Sequence, residues 1–425
     1  MKMDAMQDRT ILHVDMNNFY ASVECILNPK LLGKAIAVCG SAKERHGIVL
    51  AKSEPAKACG VKTAEAIWQA KKKCRDLIVV PPHYQHYIKY SRRAHQIYER
   101  YTDKIEPFGM DECWLDVSES RRLGSGYQIA EKIRKEIKRE LGITVSAGVS
   151  FNKVFAKLGS DIKKPDAVTG ITRMDFRQKI WGLPASNLLN VGYATNKELK
   201  NYSIHTIGDL ANASDQLLKK CFGKNGIIIK QYANGEDCSP VMNGTYVSPV
   251  KSVGHGSTTL RDLENSEEVW QLIMDLVQDI AYKLRLYRKR AGGISIAVRD
   301  KDLRTQEWQY KLRIPTQSTL YIAREAFVLF QKSYSWAKPI RSLSVRAIYL
   351  LPDSETVQYD FFNSREHREK QDKMDRAIDE IRARFGKDAI TSAILLQNHD
   401  IIGEERDIGE LFKGMVFKGS GGRGL

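Results

Sequence analysis

ILHVDMNNFYASVE, residues 11–24, runs from an apolar stretch through a polar turn into a segment of a different period. The opening run, Ile11, Leu12, His13 and Val14, is short and rich in branched residues, which reads as a buried strand rather than a helix. It ends on Asp15, and the pattern from Asn17 to Val23 is that of a helix start. A carboxylate where a strand meets a turn is a candidate ligand. A second such place exists, because Asp111 and Glu112 precede the apolar positions Leu115 and Val117.

Outward from these two points, short strands (AIAVCG, GIVLA, DLIVVP) alternate with Lys-rich helical stretches across residues 33–80, and residues 87–101 read as a long helix. Ile129, Ile133, Ile137 and Leu141 recur at helical spacing, and Gly142 is placed to end that helix in a left-handed conformation. ITVSAGVSF, residues 143–151, reads as a third buried strand. Strands interleaved with helices predict an α/β or α+β catalytic layer.

Residues 176–222 predict short helices joined by small polar turns. Residues 269–290 predict a helix, followed by strands in ISIAVRD, WQYKLRI and LSVRAIYL. Residues 241–352 hold 17 Lys and Arg against 10 Asp and Glu, with Arg285, Arg288, Lys289 and Arg290 at the expected helix end. Beyond residue 352 the chain turns polar, carries one amphipathic helical pattern (Met374, Ile378, Ile381, Phe385) and ends in GSGGRGL.

At 425 residues the chain has room for two to four domains, each large enough to bury a core unaided. A net charge of +16 favours polyanionic partners, nucleic acid before anionic membrane, although a merely soluble basic protein has the same balance. The seven cysteines are scattered without a C-x-x-C pair, which argues against a zinc site or a disulfide framework. The N-terminus is polar and no apolar run approaches the roughly 18 residues needed to cross a bilayer, so a cytoplasmic protein is expected.

Phosphoryl transfer at a nucleotide uses two hard cations about 4 Å apart. Magnesium is served by a few carboxylates plus substrate phosphates. Asp15, Asp111 and Glu112 could supply such a set if their strands are neighbours; taken alone, they read more readily as ordinary turn or capping acids.

Three segments add context. VDMNNFYASVE (residues 14–24) resembles the opening motif of the Y-family DNA polymerases, the DinB/UmuC superfamily. GMDECWLDV (109–117) resembles that family's S-x-D-E-x-x-L-D motif, with Gly109 in the serine place. VSAGVSFNKVFAKLGSDIKKP (145–165) resembles G-x-S-x-N-K-x-x-A-K followed by Lys-Pro. The resemblance runs from about residue 11 to 350 and implies an α+β multidomain right hand: palm (1–18 and 84–172), fingers (19–83), helix-hairpin-helix thumb (173–249), DNA-binding little finger (250–352) and a mobile tail (353–425). It implies low-fidelity, template-directed extension of a DNA primer with dNTPs in lesion bypass, by a protein expected to be a monomer.

Carried over by position, Asp15, Asp111 and Glu112 would hold two Mg2+ ions, for which Mn2+ could substitute, with the Met16 carbonyl as a backbone ligand. Phe19 and Tyr20 would pack under the incoming sugar, Tyr20 as the steric gate against a 2′-hydroxyl, although core packing is the commoner fate of adjacent aromatics. Lys164 would meet the triphosphate as a point charge, and the backbone N–H groups of Asn18 and Phe19 would cradle it.

The sequence also departs from the family. In AKSEPAKACGVK (51–62), Glu54 and Lys57 stand where the family usually has a tyrosine and an arginine on the triphosphate. Lys57 can still serve; Glu54 cannot bind phosphate and is expected to pair with Lys52 or Lys57. Ile48 and Leu50 are bulky for the roof over the templating base, which predicts reduced tolerance of bulky adducts. LNVGY (189–193) resembles the thumb hairpin, which grips phosphates without reading sequence. QYDFF (358–362), with Gln358, Phe361 and Phe362, resembles a sliding-clamp-binding peptide; the alternative is that the two phenylalanines dock back on this chain. Two other readings compete: a catalytically weakened DNA-binding accessory subunit of the same fold, and another two-metal palm enzyme such as a nucleotidyl cyclase, which leaves the basic C-terminal block unexplained.

Overall fold

The computed structural model describes residues 9–43, 45, 47–244, 246, 249–355, 365–396 and 401. Two compact units form, one from Met1–Gly40 with Ile48–Ser248 and one centred on Pro249–Arg406.

The first unit begins with β1 (Ile11–Met16), α1 (Phe19–Leu27), β2 (Ile36–Cys39), β3 (Val49–Lys52), α2 (Glu54–Ala58), α3 (Ile67–Lys73) and β4 (Ile78–Val80). It continues with α4 (Tyr84–Tyr98), β5 (Ile105–Pro107), β6 (Glu112–Asp116), α5 (Gly126–Leu141), β7 (Val145–Ser150), α6 (Lys153–Ile162) and β8 (Val168–Gly170). Five strands form one sheet in the order β5-β6-β1-β7-β8, and β3-β2-β4 form a small separate sheet. All six residues of β1 are buried, as its apolar run predicts for a central strand.

Strand alternation gives β1 two different faces. Leu12, Val14 and Met16 join Cys113 and Leu115 in the core beneath α4 and α5. Four apolar side chains of α5, Ile129, Ile133, Ile137 and Leu141, are buried there, each contributing roughly 1.5–3 kcal/mol. Ser125 caps that helix by accepting the Gln128 N–H, and Gly142 ends it at φ 70°. On the opposite face, His13 and Trp114 meet α6: His13 Nδ1 is 2.8 Å from Ser160 Oγ, and the Trp114 indole donates to the Lys153 carbonyl at 3.0 Å. α6 lies against β7 over Gly148, where a Cβ would fall 1.8 Å from the Ala156 carbonyl oxygen.

α7 (Phe176–Ile180), α8 (Tyr193–Asn201), α9 (Ile207–Asn212), α10 (Asp215–Phe222) and α11 (Lys224–Ala233) complete this unit around a core they share with Val154, Phe155 and Leu158 of α6. The turn into α8 uses Asn190 at φ 70° and Gly192 at the cap.

The second unit contains β9 (Val253–Leu263), α12 (Ser266–Leu286), β10 (Lys289–Asp300), β11 (Thr305–Thr316), α13 (Thr319–Ser333), β12 (Ile340–Ile348), β13 (Leu351–Pro352) and α14 (Arg365–Phe385). An antiparallel sheet in the order β11-β10-β12-β9 packs one face on α12 and α13. Its other face presents Lys311 and Arg346, opposite Gly293 and Ser295 of β10.

Two expectations change here. The helix predicted to reach Arg290 stops at Leu286, because Arg288 turns the chain at φ 53° and Lys289 and Arg290 already belong to β10. Residues 365–385, expected in a mobile tail, are a helix bolted to this unit. The Arg285 fork donates to both Asp379 oxygens (2.5 and 2.8 Å) and to the Gln317 carbonyl (3.0 Å). Arg285 is 10% exposed, so it is a structural rivet and not a phosphate contact. Gln358, Phe361 and Phe362 lie outside the described residues.

Candidate active site

Strand register brings the three acids together. Asp15 is the direct partner of Glu112 on β6, and Met16 N–H donates to the Asp111 carbonyl at 2.9 Å. Asp15 and Glu112, directly opposite, project from the same face, and Asp111 enters from the turn before β6. Gly109 leaves room for it: a Cβ there would come 3.2 Å from Asp111 Oδ1.

The electrostatics record the crowding. Burial and the charges of Asp15 and Glu112 push the Asp111 carboxyl up to about 7. Asp15 is also raised, by burial first, against the pull of Lys164. Burial pushes Glu112 up as well, but the neighbouring His13 and the charge of Lys157 outweigh it and hold the carboxyl at about 2. Lys164 Nζ sits 2.8 Å from Asp15 Oδ2 and 2.9 Å from Asp161 Oδ1. Lys157 pairs with Glu112, and His13 Nε2 is 3.2 Å from the same oxygen. Among the described residues no three side chains close into a metal-ligating cluster. Two lysines therefore stand in for part of the cationic charge that the trio demands. Hard oxygen donors with an excess of negative charge are the chemistry a pair of divalent cations fits.

Around this cluster the side chains divide. Phe19 is 3% exposed and its ring lies in the core, so only its backbone faces the turn. Tyr20 stacks on Tyr87 at 4.1 Å and meets Tyr84 edge-on; burial first, and then the Asp111 charge, push its phenol up. Asn18 caps α1 in a left-handed conformation and donates its amide to Glu54 Oε1 at 3.0 Å. Lys57 Nζ lies 3.6 Å from that same oxygen, so Glu54 is paired as expected, and with Asn18 in addition. His13 and Lys157 were not singled out from the sequence; the only hint was Lys157's place in the N-K-x-x-A-K segment.

Residues 14–161 match the model of the impB/mucB/samB family and residues 250–361 that of the same family's C-terminal domain. The chain is 49% identical to DNA polymerase IV of Acetivibrio thermocellus over 92% of its own length and 99% of the relative's. A Y-family DNA polymerase chimera built from Dbh and Dpo4 superposes with a TM-score of 0.70 at 23% identity, covering 81% of this chain and 99% of that one. The chain belongs to the Y-family of DNA polymerases. DNA polymerase IV 1 of Bacillus subtilis is 34% identical over 93% of this chain and 95% of its own. This Y-family member is a DNA-directed DNA polymerase of the translesion kind, dependent on metal and binding DNA. The accessory-subunit reading is not favoured. Among the described residues no helix is long and apolar enough to cross a membrane.

Proposed function

We propose that Asp15, Asp111 and Glu112, with the Met16 carbonyl, hold two magnesium ions, which manganese can replace, and that this polymerase extends a primer with dNTPs at that site. The observation that carries the reading is the meeting of three carboxylates at one end of two paired strands, with Asp111 pushed up to about 7 by burial and by the charges of Asp15 and Glu112. Bound cations would acidify the primer 3′ hydroxyl and neutralise charge on the transferred phosphate.

The chain's own residues do the rest. Lys164, held by Asp15 and Asp161, lies beside the acids, and with Asp15 committed to a cation it would be free to meet the triphosphate. The Asn18 and Phe19 N–H groups, at the start of α1, offer donors to phosphate. Tyr20 stands where a 2′-hydroxyl would collide, and Lys57 reaches the phosphates once Glu54 lets go. Residues 1–18 and 84–172 act as palm, 19–83 as fingers, 173–249 as thumb and 250–352 as little finger. Lys311 and Arg346 on the helix-free sheet face are suited to DNA phosphates. The protein works as a monomer in the cytoplasm, and Gln358, Phe361 and Phe362 tether it to a sliding clamp. Primer extension with magnesium tests the assignment: Asp111→Asn abolishes it, and extension at the wild-type rate would sink the metal site.

A further inference from the structure

Glu24 is a buried carboxylate that the polymerase chemistry does not use. It lies on α1, one turn beyond Tyr20, and is 3% exposed. An acid is almost never buried so deeply without partners. Here the Tyr87 hydroxyl donates to Glu24 Oε1, and His83 Nδ1 is 3.0 Å from both Glu24 oxygens. The Tyr87 hydroxyl in turn accepts the His83 backbone N–H at 3.0 Å. Both lie at the start of α4, so the carboxylate pins that helix end to α1.

What Tyr87 does with its ring gives the tether a purpose. The ring is parallel to that of Tyr20, 9° between planes and 4.1 Å between centroids. Tyr84 meets both edge-on, at 5.9 Å from Tyr20 and 5.7 Å from Tyr87. Parallel and edge-on ring contacts of this kind stabilise one another beyond the area they bury. Tyr20 is therefore backed by a ring that cannot slide, because its hydroxyl is tied to a buried charge on the helix that carries Tyr20 itself.

We propose that Glu24 and Tyr87 are positioning residues for sugar selection: Glu24 holds the Tyr87 hydroxyl, Tyr87 holds the Tyr20 ring, and the rigidity of that stack sets how firmly a ribose is refused. The inference rests on the proposed role of Tyr20 as the steric gate. A gate acts by steric collision, so its strength depends on what prevents the colliding ring from yielding. A ring free to tilt by a fraction of an ångström would admit a hydroxyl that a braced ring rejects. Neither Glu24 nor Tyr87 need touch substrate.

The test compares single-nucleotide incorporation of a dNTP and the matching rNTP by wild type, Tyr20→Ala, Tyr87→Phe, Glu24→Leu and Glu24→Gln. Tyr87→Phe keeps the ring and removes the tether. It should lower the dNTP-over-rNTP selectivity ~3–10-fold, the equivalent of one hydrogen bond, through a fall in KM for the rNTP. Incorporation of dNTP should stay within about twofold, since the acids are untouched. Glu24→Leu should do the same, and Glu24→Gln, which still accepts the Tyr87 hydroxyl, should restore selectivity, an outcome a loss of folding would not give. If Glu24→Leu does not fold, Tyr87→Phe and Glu24→Gln decide. Relaxed selectivity in Tyr20→Ala with none in Tyr87→Phe overturns the brace and leaves the gate standing. Unchanged selectivity in Tyr20→Ala overturns the gate and the brace with it.

Discussion

Lys164 Nζ lies 2.8 Å from Asp15 Oδ2, so a lysine holds the position beside an acid where the proposed mechanism needs a cation. The two uses of Asp15 compete, which gives Lys164 a signature of its own. Lys164→Met should tighten divalent-ion binding several-fold, because Asp15 loses an internal partner. The same change should raise KM for dNTP ~10-fold, the worth of about one charge-assisted contact. Metal titration by calorimetry alongside steady-state kinetics reads both. Movement of the two constants in the same direction would refute the exchange.

The raised Asp111 carboxyl carries a stability consequence. Its folded value, about 7, lies above the ordinary 3.8, so its contribution is fully present below about pH 3.8 and is lost as pH rises through 7. Above pH 7 the metal-free protein carries a half-buried, ionised and crowded acid. Asp111→Asn should therefore be more stable than wild type in chelator at pH 8, by on the order of 2 kcal/mol given about 1.4 kcal/mol per pKa unit and partial solvation. The advantage should shrink toward pH 4. Urea unfolding at both pH values checks it, and a difference that does not change with pH would be inconsistent with the crowding.

Glu54 Oε1 occupies Asn18 and Lys57 at once. Exposed pairs of this type are worth about 0.2–1 kcal/mol, so freeing Lys57 can matter only modestly. Glu54→Gln should lower KM for dNTP by ~1.5–5-fold with kcat little changed. An increase in KM would mean instead that the carboxylate holds Lys57 where it is useful.

Arg285 and Arg288 are three residues apart and should behave differently. Arg288 is 80% exposed, whereas Arg285 is spent on Asp379. Arg288→Gln should reduce the salt dependence of DNA binding by about one phosphate contact, while Arg285→Gln should leave the slope alone and unlatch α14. The pair is only partly buried, so removing one partner should cost less than the ~3–5 kcal/mol of a fully buried one. Hydrogen exchange over residues 365–385 measures the second effect, and fluorescence titration across salt concentrations the first.

These contrasts trace what was legible in the sequence. The apolar run ending at Asp15 and the four-residue spacing from Ile129 to Leu141 are strong local patterns, and both elements form where those patterns put them. β9 was missed because VGHGSTTLRDL holds glycines and threonines, and only Val253, Thr259 and Leu263 are buried. The end of α12 is not marked in the sequence, because Arg and Lys favour helix and the turn at Arg288 uses no glycine. In α14 the apolar stripe misleads: Met374 is 49% and Phe385 69% exposed, while Asp375 is 3% exposed because it caps α13 through the Thr319 N–H. In the site, the acids were legible by motif. Their partners, His13 and Lys157, depend on which residues face one another across strands and helix, and no local pattern announces that.

Gly148 has a consequence for the site it never touches. Because α6 rests on its bare α-carbon, the helix is let down into the sheet, and Lys157 is lowered onto Glu112 with it. A single added methyl would jack the helix outward and lift the lysine away from the acid. The charge balance at the acidic end of the sheet is thus set, several residues away, by the thickness of one absent side chain.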